Sequence, residues 1–166
     1  MQNQVVFQEE KERERLLIQN RLLSQEEKPA LEHFFAGKTE LSVLDIGCND
    51  GSRTFSRFSD DRISRVVGLE YNQELVEKAK QQYGDSRFSF YQMDVEKGLL
   101  SGNLHNLPGR AGRCKFDLIC LSYVLMHLQE GEKLLRHLRR FLKKDGVIFI
   151  TESHDSSSSL FPDERG

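Results

Sequence analysis

From Leu41 to Thr151 the chain alternates between two apolar patterns. Short runs with β-branched or aromatic residues are separated by segments whose apolar positions recur at helical spacing. Leu41-Ser-Val-Leu-Asp-Ile46 is the first run, and it ends in a glycine loop. Thr54 to Phe58 reads as a crossover helix, Arg65 to Glu70 as a second strand, and Gln73 to Tyr83 as a helix with Leu75, Val76 and Ala79 on one face. Arg87 to Met93 alternates with period two, and Lys115 to Leu121 reads as a buried strand. From Glu132 to Leu142, the positions Leu134, Leu135, Leu138, Phe141 and Leu142 repeat as on an amphipathic helix. Asp145-Gly146 is expected to turn the chain into a last strand, Val147 to Thr151.

Strands that alternate with helices pair in parallel through right-handed crossovers. The expected fold is therefore α/β, a doubly wound and mostly parallel sheet of about five strands, with its ligand at the carboxyl ends of the strands. Ahead of it, Gln8 to Leu23 holds neither Gly nor Pro and favours helix, with Leu16, Ile18, Leu22 and Leu23 sharing much of one face. Pro29 separates it from a second, short helix ending near Phe34, Phe35 and Gly37. We expect three parts: a helical extension over 1–38, the α/β domain over 39–155, and a flexible tail over 156–166. Gly98 to Arg113, with four glycines and Pro108, is expected to be a loop with one short helical turn.

Composition narrows the picture. The 166 residues suit one domain with one core. A net charge of −2 argues against a protein built around nucleic-acid backbone contacts. Cys48, Cys114 and Cys120 have no zinc-ligand spacing and are expected to be reduced thiols. No metal site is expected. No apolar run approaches the ~20 residues that span a bilayer, and no signal-peptide core is present at the start of the sequence, so the expected location is the cytoplasm.

The residues that could carry chemistry lie at the ends of the predicted strands. In Val43-Leu-Asp-Ile-Gly-Cys-Asn-Asp-Gly51, Gly47 and Gly51 let the chain turn tightly and let a ligand approach the backbone. Asp45 sets a carboxylate just before the loop, suited to an ammonium group or a water held by one. Glu70 ends the second strand, where an acid accepts hydrogen bonds from ribose hydroxyls. Met93-Asp94 ends the third, where the carboxylate can accept from an adenine amino group and Met93 can pack on the ring. Three acids at successive strand ends point to an adenosine ligand.

From Leu41 to Glu152 the sequence resembles a class I S-adenosylmethionine-dependent methyltransferase. Val43 to Gly51 matches the family's first motif, with Asn49 in place of the middle glycine; Asn tolerates left-handed backbone better than most residues, so the loop is expected to keep its shape. Val66 to Asn72 resembles the second strand and places Glu70 on the ribose. Tyr91-Gln-Met-Asp94 matches the segment whose acid meets the adenine. Phe116 to Leu128 resembles the fourth strand and the substrate-side turn after it. Leu142 to Ile150 resembles the segment opening the fifth strand, with Asp145 and one glycine fewer than usual. The resemblance implies S-adenosyl-L-methionine as cofactor, held by Asp45, Gly47, Cys48, Asn49, Gly51, Glu70, Tyr71, Met93, Asp94 and Ser122. Tyr123 and His127, beside the expected methyl position, are the catalytic candidates. His154 and Asp155 lie at another strand end and read as polar loop. Full members continue past the fifth strand with a helix and two further strands. The short remainder here is expected to leave the fifth strand at the sheet edge, prone to self-association, and a fragment of this kind to be slow or inactive.

The expected function is transfer of a methyl group to an unidentified acceptor, with a small molecule favoured. The alternatives are a non-catalytic or regulatory S-adenosylmethionine-binding module, and an RNA or protein methyltransferase. No basic stretch and no Asn/Asp-Pro-Pro-Tyr-like motif favours nucleic acid, and no partner membrane is expected. A nicotinamide dehydrogenase usually needs a third glycine where Thr54 stands.

Overall fold

The computed structural model describes residues 27–101 and 115–152. The expected helix from Gln8 to Leu23, the loop beyond Ser101, Cys114, His154, Asp155 and the tail lie outside these residues.

Among the described residues, 27–35 are helical, as α1, so Glu27 and Lys28 already belong to the helix that Pro29 was expected to open. There follow β1 (Leu41–Ile46), α2 (Ser52–Phe58), β2 (Ile63–Glu70), α3 (Gln73–Tyr83), β3 (Phe88–Gln92), α4 (Val95–Leu100), β4 (Phe116–Ser122), α5 (Gly131–Leu138) and β5 (Leu142–Thr151). One-turn 3-10 segments at Leu125–His127 and Arg139–Phe141 flank α5. The five strands pair in parallel in the order β3-β2-β1-β4-β5. The chain leaves the β3 edge through α4 and re-enters beside β1, so strand order reverses between β1 and β4. That is where ligands of doubly wound sheets bind.

The expected strand and helix boundaries hold to within two residues except at the last helix and strand, and α4 begins at Val95, ahead of the loop expected from Gly98. The last long helix ends at Leu138 and tightens into a 3-10 turn over Arg139–Phe141. Asp145-Gly146 does not separate the helix from a new strand, because β5 already pairs at Leu142. Phe116 faces Leu142 and Leu118 faces Val147, so residues 143–146 bulge out of register. A side chain at Gly146 would approach the Phe116 carbonyl oxygen within 2.7 Å, and Lys143 reaches Asp117 Oδ2 at 2.7 Å.

Strand side chains alternate between the two faces. Val43, Val66, Phe88, Phe90, Leu118 and Cys120 join Leu31, Phe35, Phe58, Val76 and Ala79 in one core layer, beneath α1, α2 and α3. Leu44, Ile46, Val67, Leu69, Ile119 and Leu121 join Val95, Leu134, Leu138 and Phe141 in the other, beneath α4 and α5. This parity also fixes the polar residues. Asp45 shares the face of Val43, Ser122 that of Cys120, and Thr151 that of Phe149. All three lie on the α1–α2 side, at the carboxyl ends of their strands.

There they meet a buried ionic cluster. Glu27 of α1 accepts from Arg53 Nη2 at 2.6 Å and from the Thr151 hydroxyl, and lies 3.4 Å from Arg57 Nε. Arg57 donates to Ser122 Oγ at 3.0 Å. The cluster thereby ties α1 and α2 to the ends of β4 and β5.

Phe90 nests against two glycines. A Cβ on Gly68 would lie 2.6 Å from the Phe90 ring and 2.8 Å from Cys48 Sγ, and one on Gly51 would lie 3.1 Å from the same ring. Gly68→Ala should therefore overpack the site and destabilise the fold by about 1–3 kcal/mol. Phe90→Leu in the same chain should recover part of that loss. Urea denaturation of the four chains of this cycle checks it: additive losses would show that Gly68 and Phe90 do not share the space.

Candidate functional site

The site is built from four strand ends. After β1 the chain turns through Gly47 (φ 73°), Asn49 (φ 53°) and Gly51 (φ 78°), all left-handed. Asn49 adopts the left-handed backbone expected of it, and its Oδ1 accepts from the Asp50 amide at 2.7 Å. The amides of Gly47 and Cys48 both donate to the Leu69 carbonyl, at 2.8 and 3.1 Å. The Asp50 carboxylate accepts from the Ser52 amide and hydroxyl, at 3.1 and 2.6 Å, where α2 begins.

Glu70 joins this loop to the next. Its Oε2 accepts from the Asn49 amide at 3.1 Å and its Oε1 from the Asn72 amide at 3.0 Å. The residue is 5 % exposed, yet each carboxylate oxygen takes one protein hydrogen bond and keeps acceptor capacity for a ligand hydroxyl. Tyr71 beside it is exposed. Asn72 caps α3 through the amides of Glu74 and Leu75.

The Met93 amide donates to the Glu70 carbonyl at 2.8 Å, which sets the β3 end beside the β2 end. Asp94 Oδ1 accepts from the Lys97 amide at 3.0 Å, and Oδ2 pairs with Lys97 Nζ at 3.0 Å. The amide bond holds its carboxyl below the usual carboxylate range.

Asp45 is placed deeper than the other two acids. Its Oδ2 accepts from Thr54 Oγ1 at 2.6 Å under α2. Burial pushes its carboxyl above the usual range, while Arg57 and the Thr54 hydrogen bond favour the charged form. Burial likewise pushes the Cys48 and Cys120 thiols far up, so both are free but unreactive as nucleophiles.

On the far side of the switch point stands the turn after β4. Tyr123 is left-handed (φ 56°), and its amide donates to the Thr151 carbonyl at 2.8 Å. The amides of Val124 and Leu125 both donate to Glu152 Oε1, at 3.0 and 2.8 Å. Val124 leans on the glycine loop: a Cβ on Gly47 would lie 2.5 Å from its Cγ2. His127 is exposed at the end of the turn.

The structure thus brings together Gly47, Cys48, Asn49, Gly51, Glu70, Tyr71, Met93 and Asp94 around the ends of β1, β2 and β3. Ser122, Tyr123 and His127 sit on the β4 side. Sequence reasoning overlooked Glu152, Arg57 and Glu27. Glu152 had a signal, since it is an acid directly after a predicted strand, much as Glu70 is an acid that ends one. Among the described residues no group of three or more His, Cys, Asp or Glu side chains could hold a metal ion, and no helix is long and apolar enough to cross a membrane.

This is the fold and loop arrangement of a class I, Rossmann-like methyltransferase. The sequence profile of a family described as methyltransferase domain matches residues 10–164, and the chain belongs to that family. An uncharacterised methyltransferase of Schizosaccharomyces pombe is 27% identical over 124 residues, covering 74% of this chain and 43% of the relative. (S)-coclaurine N-methyltransferase of Thalictrum flavum is 26% identical over 112 residues, covering 66% of this chain and 28% of the relative. The crystal structure of an S-adenosylmethionine-dependent methyltransferase from Mesorhizobium loti superposes with a TM-score of 0.58 at 25% identity, over 76% of this chain and 53% of that one. The chain thus spans less than half the length of these two curated relatives.

Gly47 is constrained twice, by its left-handed backbone and by Val124. Gly47→Ala should destabilise the fold by more than the roughly 1–2 kcal/mol of a left-handed L-residue alone. In a Val124→Ala background the loss should fall back toward that value. Thermal unfolding of the single and double variants measures it, and a loss that is the same in both backgrounds would uncouple the loop from the turn.

Proposed function

We propose that this chain binds S-adenosylmethionine at the ends of β1 to β3 and transfers its methyl group to an acceptor seated against the turn after β4. The observation that carries the reading is Glu70: a buried carboxylate that fastens two loops by their amides and retains one acceptor site on each oxygen. A diol is the ligand group that matches two such oxygens, and a ribose carries one.

The surrounding residues fit the rest of the cofactor. Met93 supplies an apolar surface for a base, and Asp94 a carboxylate at its edge. Gly47, Cys48, Asn49 and Gly51 form a loop whose backbone a ligand can approach closely. Asp45 contributes negative charge from beneath that loop, toward an ammonium or a bound water. Tyr71, exposed beside Glu70, can cover the ribose, and Ser122 borders the methionyl end. When bound, S-adenosylmethionine supplies an electrophilic methyl carbon. The protein's part is then to hold the acceptor in line and exclude competing water. Tyr123 and His127 stand on the acceptor side, where a proton must leave if the nucleophile starts protonated.

A small-molecule acceptor is favoured by the net charge of −2 and by the relative whose name gives coclaurine N-methylation. A second reading, self-association, is supported by Val147 and Ile150, which are 38 % and 43 % exposed on β5 at an edge of the described sheet. The closing half of β5, Val147–Thr151, carries no charge, and an apolar edge segment pairs readily with another chain. Sedimentation across concentrations tests this: a monomer at every concentration rules it out.

Titration calorimetry with S-adenosylmethionine, S-adenosylhomocysteine and NAD tests the cofactor reading. Binding of the first two but not NAD is expected, without effect of chelators. Glu70→Ala should weaken binding by about 1–3 kcal/mol, and Asp94→Asn more modestly. Equal affinity of wild type and Glu70→Ala would sink the ribose assignment. Transfer from a methyl-labelled donor to candidate acceptors then separates an enzyme from a binding module that only retains the cofactor.

A further inference from the structure

The turn after β4 carries both acceptor-side candidates, yet little in its own sequence fixes its shape. Tyr123 takes a left-handed conformation without being Gly, Asn or Asp, which strains the backbone. The Val124 and Leu125 amides that follow belong to no strand, and the Leu125–His127 segment is a single 3-10 turn. Strain of this kind persists only where surrounding contacts over-determine it. Two contacts come from the end of β5: the Thr151 carbonyl takes the Tyr123 amide, and Glu152 Oε1 takes the amides of Val124 and Leu125. A third contact runs toward the cofactor loop, where Val124 occupies the space that a Cβ on Gly47 would need. The chain of contact therefore runs from the Glu152 carboxylate through two amides to Val124, and from Val124 to Gly47.

We propose that Glu152 is the positioning residue of the methyl-transfer site. Its carboxylate clamps the turn, so that Val124 stays seated on the glycine loop and Tyr123 and His127 stay on the acceptor side. The inference rests on the cofactor reading above for its catalytic meaning, but the clamp is testable without ligand. Glu152 acts through hydrogen bonds accepted by one oxygen, which a neutral amide oxygen can replace. Its second oxygen, Oε2, is buried and has no hydrogen-bond partner among the described residues. That atom raises the competing role of a carboxylate acting directly on a ligand, and the choice of variants separates the two.

The experiment compares the wild type, Glu152→Ala and Glu152→Gln by residue-resolved amide exchange at Val124 and Leu125, and by calorimetric titration with S-adenosylhomocysteine. The expected result is loss of protection at these two amides in Glu152→Ala, with the β1 and β4 amides still protected, and binding weakened by about tenfold or more. Glu152→Gln should restore both protection and affinity, which a charge-dependent role cannot do. Unchanged protection and affinity in Glu152→Ala would overturn the proposal. So would a Glu152→Gln chain that is protected like wild type yet binds like the alanine variant, since the charge would then be acting on the ligand itself. A wild type that fails to bind S-adenosylhomocysteine while the exchange pattern holds would overturn the cofactor reading, and the role in methyl transfer with it, but leave the clamp standing.

Discussion

A strand hydrogen-bonded along both edges and covered on both faces leaves its polar side chains no access to water. β1 is that strand, with all six residues buried. Two of the six, Ser42 and Asp45, are polar, and a buried polar group without a partner is costly. Each therefore dictates a neighbour. Ser42 gives its amide and hydroxyl to Asp117 Oδ2 on β4, at 2.7 and 2.9 Å, which secures the opening ends of β1 and β4. Asp45 takes the Thr54 hydroxyl and lies in the field of Arg57, which fastens α2 over the closing end.

From Asp45 the polar network spreads outward. Arg57, once buried beside Asp45, needs further partners and finds Ser122 and Glu27; Glu27 in turn draws in Arg53 and Thr151. The closing ends of β4 and β5 are thus held by charge on one side of the sheet. Buried ion pairs of this kind add little net stability over apolar packing, but losing one partner leaves an uncompensated charge. Their effect here is geometric: they fix where the turn after β4 begins.

The two halves of the site are built differently. On the β1–β3 side the loops are tied to each other by Glu70 and by backbone bonds to the Leu69 and Glu70 carbonyls, and the left-handed positions are Gly or Asn. That half is shaped by residues that suit its backbone. On the β4 side a tyrosine takes the left-handed position, and the shape comes from Glu152, Thr151 and Arg57 outside the turn. The two halves meet where Val124 fills the space beside Gly47, so the shape of the second bears on the first.

Much of this was legible in the sequence, because the signals are local. Periodicity separates strands from helices within a few residues, so Gln73–Tyr83 and Leu41–Ile46 were readable outright. A glycine loop after a strand and acids at successive strand ends are one-dimensional patterns, and Asn49 was expected to keep the loop's shape because it stands where the family's motif has a glycine and Asn tolerates left-handed backbone. The β5 bulge was misread because Asp-Gly is a good turn signal, and only pairing with β4 shows that the strand has already begun at Leu142. Strand order and the partners it creates belong to tertiary structure. Glu27 meets Thr151 across 124 positions, and Glu152 meets Val124 across 28, because β5 lies beside β4 and α1 lies over their ends. Ion pairs and clamps between distant segments leave no period and no spacing in the chain. They exist only once the sheet has chosen its neighbours.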